Sequence, residues 1–204
     1  MSEKYYNDAI IGNKNIVASY TNRGELLRLY YPTVDYKQFI DFFHVGVKVN
    51  DSSLIYLHDD VNNVYKQHYT ENTNILNTEI ENTYFKLQVT QVDFVPINKN
   101  VLMKKYTFKN NNFMDLELKF LIHSKMISNI DNSFGSKILS NGVLQYNHNY
   151  NICTFSKNKI SKYQLNDVSN NIKTGIIDDK DYIGMSADSA ISYDLGTLKP
   201  AESK

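Results

Sequence analysis

The sequence predicts an all-β fold, and two observations lead to that prediction. Apolar and polar residues alternate with period two along most segments, as expected for strands that bury one face. Short turns rich in Asn and Gly separate these segments at spacings of roughly 8–12 residues, which is typical of a sandwich or barrel. The chain lacks the regular alternation of strands with long helical patterns that a parallel α/β sheet requires.

Residues 7–32 contain three short β-type runs separated by tight turns, and we expect them to pair as an antiparallel meander. A hairpin with a type I′ turn is predicted at Asn141-Gly142, between 137–139 and 143–146. In the run 101–109, Lys104 interrupts the apolar face. Further strands are predicted at 45–49, 54–58, 76–81, 84–93, 101–109, 115–124, 143–147, 153–156, 163–165 and 190–195.

Two segments depart from this pattern. Residues 35–43 place Tyr36, Phe39, Ile40 and Phe43 at i, i+3, i+4 and i+7, which predicts a short helix. Residues 166–181 are polar and predict a long excursion between strands. No Gly-, Ser- or Pro-rich linker divides the chain, so residues 1–204 are predicted to form a single β-sandwich domain.

Composition narrows the class of protein. The 204 residues carry 22 basic and 22 acidic side chains, so no basic surplus indicates a nucleic-acid or membrane partner. The N-terminus has no apolar signal-like stretch and no run reaches transmembrane length, which predicts a cytoplasmic protein. The single cysteine, Cys153, excludes an intrachain disulfide and is interpreted as a buried, inert thiol.

Reactive motifs are scarce. His58, Asp59 and His68 could supply metal ligands, but without a fixed ligand spacing they fit a solvated turn and a polar strand better. No phosphate-binding loop, dinucleotide fingerprint or nucleophile elbow is present. The acids lie in turns or on polar strand faces, and no pair suggests glycoside hydrolysis. We therefore predict no catalytic, cofactor-binding or metal-binding residues in this chain.

Several short motifs nevertheless resemble the start of bacterial, clostridial-type glucoamylase-like proteins of glycoside hydrolase family 15. The resemblance covers about residues 5–125 clearly and the remainder loosely. The motifs lie at residues 8–13, 17–20, 24–26, 31–32, 35–40, 56–63, 91–95 and 105–111.

The resemblance implies a fold, a partner and an activity. It implies a large antiparallel β supersandwich, similar to galactose mutarotase, that packs against a C-terminal (α/α)6 barrel holding both catalytic glutamates. This chain ends before any barrel, so we expect it to be the front part of a longer protein that hydrolyses α-glucosidic bonds. The candidate surface that faces the barrel or borders the substrate is formed by Tyr30, Tyr31, Asp35 and Gln38.

Two alternatives remain open. The chain could be a free-standing carbohydrate-binding sandwich that takes an oligosaccharide, although it has no Trp for stacking on sugar rings. It could also be a mutarotase-like epimerase, for which His58, His68 and His123 are the candidate residues. A sheet edge left open at the end of the chain would favour a homodimer.

Overall fold

The structure, a computed structural model, describes residues 7–127, 134–147, 150–185 and 187–204. Within these ranges one short helix, α1 (Val168–Asn171), is followed by a 3₁₀ turn at Ile172–Thr174. The prediction of an all-β fold with at most one or two short helices is confirmed. The strands, in chain order, are β1 (Ala9–Gly12), β2 (Val17–Tyr20), β3 (Leu26–Tyr30), β4 (Ile40–Val49), β5 (Ile55–Tyr56), β6 (Asn63–Tyr69), β7 (Leu76–Asn82), β8 (Leu87–Phe94), β9 (Met103–Asn110), β10 (Leu116–Met126), β11 (Gly135–Leu139), β12 (Gly142–Tyr146), β13 (Asn151–Phe155), β14 (Lys162–Leu165) and β15 (Ser189–Leu198).

The described residues pack into two compact units. Unit 1 takes those within Met1–Gln38, Leu57–Leu116 and Thr197–Lys204, and unit 2 takes those within Phe39–Tyr56 and Glu117–Gly196. The prediction that residues 1–204 form one domain remains a prediction. No helix in the described ranges is long and apolar enough to cross a membrane.

Unit 1 contains two antiparallel arrays. Strands β1, β2 and β3 pair in sequence order, which confirms the meander predicted for residues 7–32. Strands β6, β7, β8 and β9 form a four-stranded sheet, and Ser203 bridges Lys109 at the outer edge of β9. The two arrays face each other, since the Gln91 side chain on β8 donates a hydrogen bond to the Gly24 carbonyl at 2.8 Å.

The buried face of β8 changes character along the strand. Leu87 and Val89 are apolar, whereas Gln91 and Asp93, the next two residues on the same face, are polar and almost fully buried. Because buried polar groups are costly unless they have partners, the second half of β8 requires a complementary set of side chains.

Unit 2 contains two sheets and the 166–181 excursion. Strands β4, β10, β15 and β14 lie side by side, with β5 paired to β4, while β11, β12 and β13 form a separate three-stranded sheet. The excursion is not wholly solvated. Its Val168, Ile172 and Ile177 are buried in one cluster with Leu121 of β10 and Ala190 of β15.

The predicted helix at residues 35–43 is wrong. Residues 33–36 form a turn in which the Tyr36 N–H donates to the Thr33 carbonyl, and β4 begins at Ile40. Phe42 and Phe43 pair in register with Lys125 and Ser124 of β10. A helical spacing of apolar residues is a weak signal, and the backbone hydrogen bonds of a ten-residue strand override it here.

The Asn-Gly hairpin is confirmed, but its turn is not the predicted type. Leu139 pairs with Gly142, so the loop residues are Ser140 and Asn141. Neither has the positive φ that both central residues of a type I′ turn need. The predicted strand at 84–93 also begins later, at Leu87, because residues 83–86 form a turn. The other strand predictions match observed strands with shifted ends.

Candidate functional site

The residues predicted to face a barrel lie along one loop of unit 1, residues 30–38. Tyr30 ends β3, and Tyr31 is 40% exposed, with its hydroxyl accepting a hydrogen bond from the Asn100 side chain at 3.2 Å. The Asp35 carboxylate is exposed and accepts a bond from the Thr33 hydroxyl at 3.5 Å. The Gln38 side-chain oxygen is buried and has no hydrogen-bond partner among the described residues. The role of this loop at a border with another domain or with substrate stays a prediction.

The structure does not bring together His58, Asp59 and His68, the three residues that the sequence raised as possible metal ligands. His58 Nε2 lies 3.7 Å from the Glu25 carboxylate, and Asp59 lies 3.6 Å from the Arg23 guanidinium. His68 lies on β6 opposite Asn77. Among the described residues, these two histidines and Asp59 do not form a group of metal-ligand atoms.

Cys153 is not the buried thiol that the sequence indicated. It lies on β13 opposite Leu144 and is exposed. Desolvation by its neighbours raises the pKa of the thiol above the ordinary 9.0, so less of the nucleophilic thiolate forms at neutral pH. The interpretation of Cys153 as an inert thiol stays a prediction.

A buried polar cluster occupies the polar half of β8 in unit 1. Lys104 Nζ lies 2.6 Å from Asp93 Oδ1, and the Gln91 side chain donates to Asp93 Oδ2 at 2.6 Å. Lys104 also lies 4.7 Å from the centre of the Tyr20 ring. Burial lowers the pKa of Lys104, and the Asp93 carboxylate opposes that shift. Burial and the Asp93 charge raise the pKa of the Tyr20 and Tyr106 hydroxyls well above 10.0.

A pocket opens in unit 2 beside a second buried acid–base pair. Its volume is about 250 Å³. The pocket lies where the 166–170 segment passes over the ends of β4 and β10. Its lining consists of one aromatic ring, one ammonium, two carboxylates and three uncharged polar side chains, namely Phe42, Lys125, Asp167, Asp188, Asn166, Ser169 and Asn170.

Asp188 is the most constrained carboxylate of this pocket. His123 Nε2 lies 2.9 Å from its Oδ2, and the Ser169 hydroxyl donates to the same oxygen at 3.2 Å. The Val168 N–H approaches Oδ1 at 3.4 Å. Burial raises the pKa of the Asp188 carboxyl, but the bonds from His123, Val168 and Ser169 outweigh it and lower the pKa below 3.8. The carboxylate is therefore ionised at neutral pH.

The Ser169, Asp188 and His123 side chains do not form a nucleophilic triad. In a triad the histidine contacts the serine hydroxyl and the aspartate orients the histidine. Here the hydroxyl donates to the aspartate, so no base is positioned to activate it. His123 is 6% exposed, and its Nδ1 is buried without a partner among the described residues. The arrangement holds a carboxylate in place and presents it to the pocket.

Sequence reasoning named only His123 of this site, as a candidate residue of an epimerase, and missed Asp188 and the pocket for a physical reason. Period-two alternation placed His123 on the polar face of its strand, yet β10 is buried on both faces from Phe120 to Ser124. The excursion supplies the second cover, since Val168 and Ile172 pack on Leu121. Asp188 lies in a segment without any recognisable motif, so only the fold brings it to His123.

The chain resembles glycosyl hydrolases in both sequence and structure. It is 30% identical over 199 residues to an uncharacterized glycosyl hydrolase, MJ1610, of Methanocaldococcus jannaschii, and the match covers 93% of this chain and 32% of that protein. A crystal structure of a bacterial glucoamylase in complex with acarbose superposes with a TM-score of 0.70 at 13% identity, covering 93% of this chain and 30% of that one. No protein-family model matches the chain.

These comparisons confirm the resemblance to glucoamylase-like glycosyl hydrolases that the sequence motifs indicated. The glucoamylase is similar to this chain in fold, and the archaeal protein is similar to it in sequence. The chain spans about a third of the length of each of these two proteins.

Proposed function

We propose that this chain is a non-catalytic β domain of a glucoamylase-like glycosyl hydrolase that acts on α-glucosidic bonds. One observation carries the proposal: nearly all of this chain matches, but only about a third of each matched protein is covered. That coverage supports the assignment of the chain to one part of a larger protein. In this proposal the partner is a C-terminal (α/α)6 barrel of the same protein, which holds the catalytic glutamates.

The chemistry of the pocket in unit 2 supports a non-catalytic assignment. Glycoside hydrolysis needs one carboxyl group that is protonated at neutral pH and a second that is ionised. The pKa of Asp188 is lowered, which is the wrong direction for a general acid. The other carboxylate of the lining, Asp167, is exposed and lies 4.0 Å from Lys180.

The 30–38 loop is the proposed contact with the barrel. It presents Tyr31 and Tyr36, which are 40% and 59% exposed, beside the Asp35 carboxylate. Exposed aromatic residues with an adjacent polar group are typical of the centre of a protein interface. This loop follows β3 directly, so its position is fixed at one end by the sheet.

The test compares the 204-residue chain with the protein encoded by the whole gene. Tyr31→Ala should destabilise the whole protein by roughly 1–2 kcal/mol more than it destabilises the chain alone, because only the whole protein would lose a domain contact. Thermal and urea unfolding of both forms measure this difference. Tyr84→Ala is the matched control, since Tyr84 is 72% exposed on another turn of unit 1 and should show no such difference.

Equal effects of Tyr31→Ala in the two forms would remove the loop from the interface. A gene that stops at Lys204 would contradict the proposed domain partner itself.

A further inference from the structure

We propose that the unit 2 pocket binds one neutral sugar ring, or a polyol of similar size, through Asp188. The inference does not depend on the proposed function, since a supporting domain needs no ligand. The pocket, of about 250 Å³, lies just below the usual range for sites of drug-sized ligands. That volume suits a single ring and excludes a long oligosaccharide from full enclosure.

The lining favours an uncharged ligand with several hydroxyl groups. Asn166, Ser169 and Asn170 each offer both donor and acceptor atoms, which match hydroxyls in either role. Two carboxylates against one ammonium disfavour an anion. The ammonium, Lys125, disfavours a bare metal cation and is itself 3.8 Å from Asp41 outside the lining. Phe42 supplies the apolar surface that the C–H face of a sugar needs.

Asp188 is prepared to accept hydroxyl hydrogen bonds. An ionised carboxylate only accepts, and its charged form makes stronger hydrogen bonds than a neutral acceptor. His123, Ser169 and the Val168 N–H fix its orientation before any ligand arrives, which reduces the ordering cost of binding. His123 is in turn fixed by edge-to-face packing on Phe42, with ring centres 4.7 Å apart.

The backbone beside the pocket is also held in one conformation. Asn166 and Asp167 both have positive φ, at 64° and 56°, which Asn and Asp tolerate better than other side chains. The Asn166 N–H donates to the Asp188 carbonyl at 2.9 Å, and the Gln164 side chain donates to the Asn166 carbonyl at 3.1 Å. The polar lining is thus held by a locked turn.

The experiment is an amide NMR titration of the 204-residue chain with glucose and maltose in buffer containing EGTA. We expect saturable shifts confined to residues 166–170, 188, 42 and 125, with a Kd on the order of 1–10 mM for so small a ligand. Asn170→Ala should weaken binding by roughly fivefold, as for one lost hydrogen bond. Asn171→Ala, its exposed neighbour on α1 outside the lining, should leave the Kd unchanged.

Three results would overturn the inference. One is the absence of saturable shifts with either sugar up to about 100 mM, well above the expected Kd. Another is saturation that Asn170→Ala and Asn171→Ala affect equally. The third is saturation by calcium without EGTA, or by inorganic phosphate, at concentrations where glucose has no effect. None of these results bears on whether the chain supports a catalytic barrel.

Discussion

The two units each contain a buried acid–base pair, and the two pairs differ in what surrounds them. In unit 1, Asp93 is completely buried and Lys104 is 11% exposed at the side chain. In unit 2, Asp188 and His123 are 12% and 6% exposed. The distances are similar, 2.6 Å and 2.9 Å, so the geometry of the pairs does not separate them.

The neighbours of each carboxylate make the difference. Both oxygens of Asp93 are engaged by buried side chains, Lys104 on one and Gln91 on the other, with the Tyr20 ring over the ammonium. Asp188 also accepts on both oxygens, from His123 and Ser169 on one and from the Val168 N–H on the other, but it lines a pocket as well. We therefore call the Asp93–Lys104 pair closed and the Asp188–His123 pair, whose carboxylate lines the pocket, open.

The largest expected effect on stability comes from removing the lysine of the closed Asp93–Lys104 pair. Lys104→Met should lower the free energy of unfolding by about 3–5 kcal/mol, because it leaves the Asp93 carboxylate buried without its cation. Urea unfolding measures the loss. Lys105→Met, the exposed neighbour on β9, is the matched control and should change stability by less than about 0.5 kcal/mol.

The double variant Asp93→Asn/Lys104→Met sharpens this test. It should recover most of the loss, because the Asn oxygen still accepts from Gln91 and no buried charge remains. If the double variant were no more stable than Lys104→Met alone, the unpaired carboxylate would not be the cause of the loss.

A smaller loss is expected at the open pair. Asp188→Asn should lower the free energy of unfolding by about 1–3 kcal/mol, because it weakens the hydrogen bonds to His123 and Ser169. The loss stays small because water can still solvate the side chain from the pocket. Asp51→Asn, at an exposed turn residue of unit 2, is the control and should be close to neutral. A cost at Asp188 equal to that of Lys104→Met would remove the contrast between the two pairs.

The smallest effect is the acid dependence of the open pair. The folded-state pKa of Asp188 is lowered from 3.8, so its ionised form contributes stability that is complete above the unfolded value and is lost as pH falls through the folded value. Below about pH 5, the difference in unfolding free energy between the wild type and Asp188→Asn should therefore shrink. Urea unfolding at several acid pH values measures it, and a difference that grows on acidification would contradict the assignment.

The sequence indicated one member of each buried acid–base pair. Lys104 was visible as an interruption of an apolar strand face, because a lysine on an inward position demands a partner. Its partner was not visible, since only the register of β8 on β9 places Asp93 opposite Lys104. In unit 2 the sequence shows His123 as a polar residue of a predicted strand. It does not show that His123 is buried, because that burial depends on the 166–181 excursion, which covers β10.

The sequence predicted where most strands lie, but it did not predict which distant strands pair with each other. Alternation and turn residues located the meander of residues 7–32 and the sheet β7 to β9, and the alternation is clearest in β7 and β8, which each bury one face. The 35–43 segment failed because its apolar spacing matched a helix while its pairing partner, β10, lies about eighty residues further along the chain. Such distant pairing leaves no local signal.

The most direct measurement of the central claim is a glucosidase assay on the purified 204-residue chain. Maltooligosaccharides and trehalose are the substrates, and the protein encoded by the whole gene is the positive comparison. The account predicts hydrolysis by the whole-gene protein and no turnover by the chain alone, even where the chain binds sugar in its pocket. Clear turnover by the pure chain, abolished by Asp188→Asn, would contradict the account and place the catalytic site in this domain.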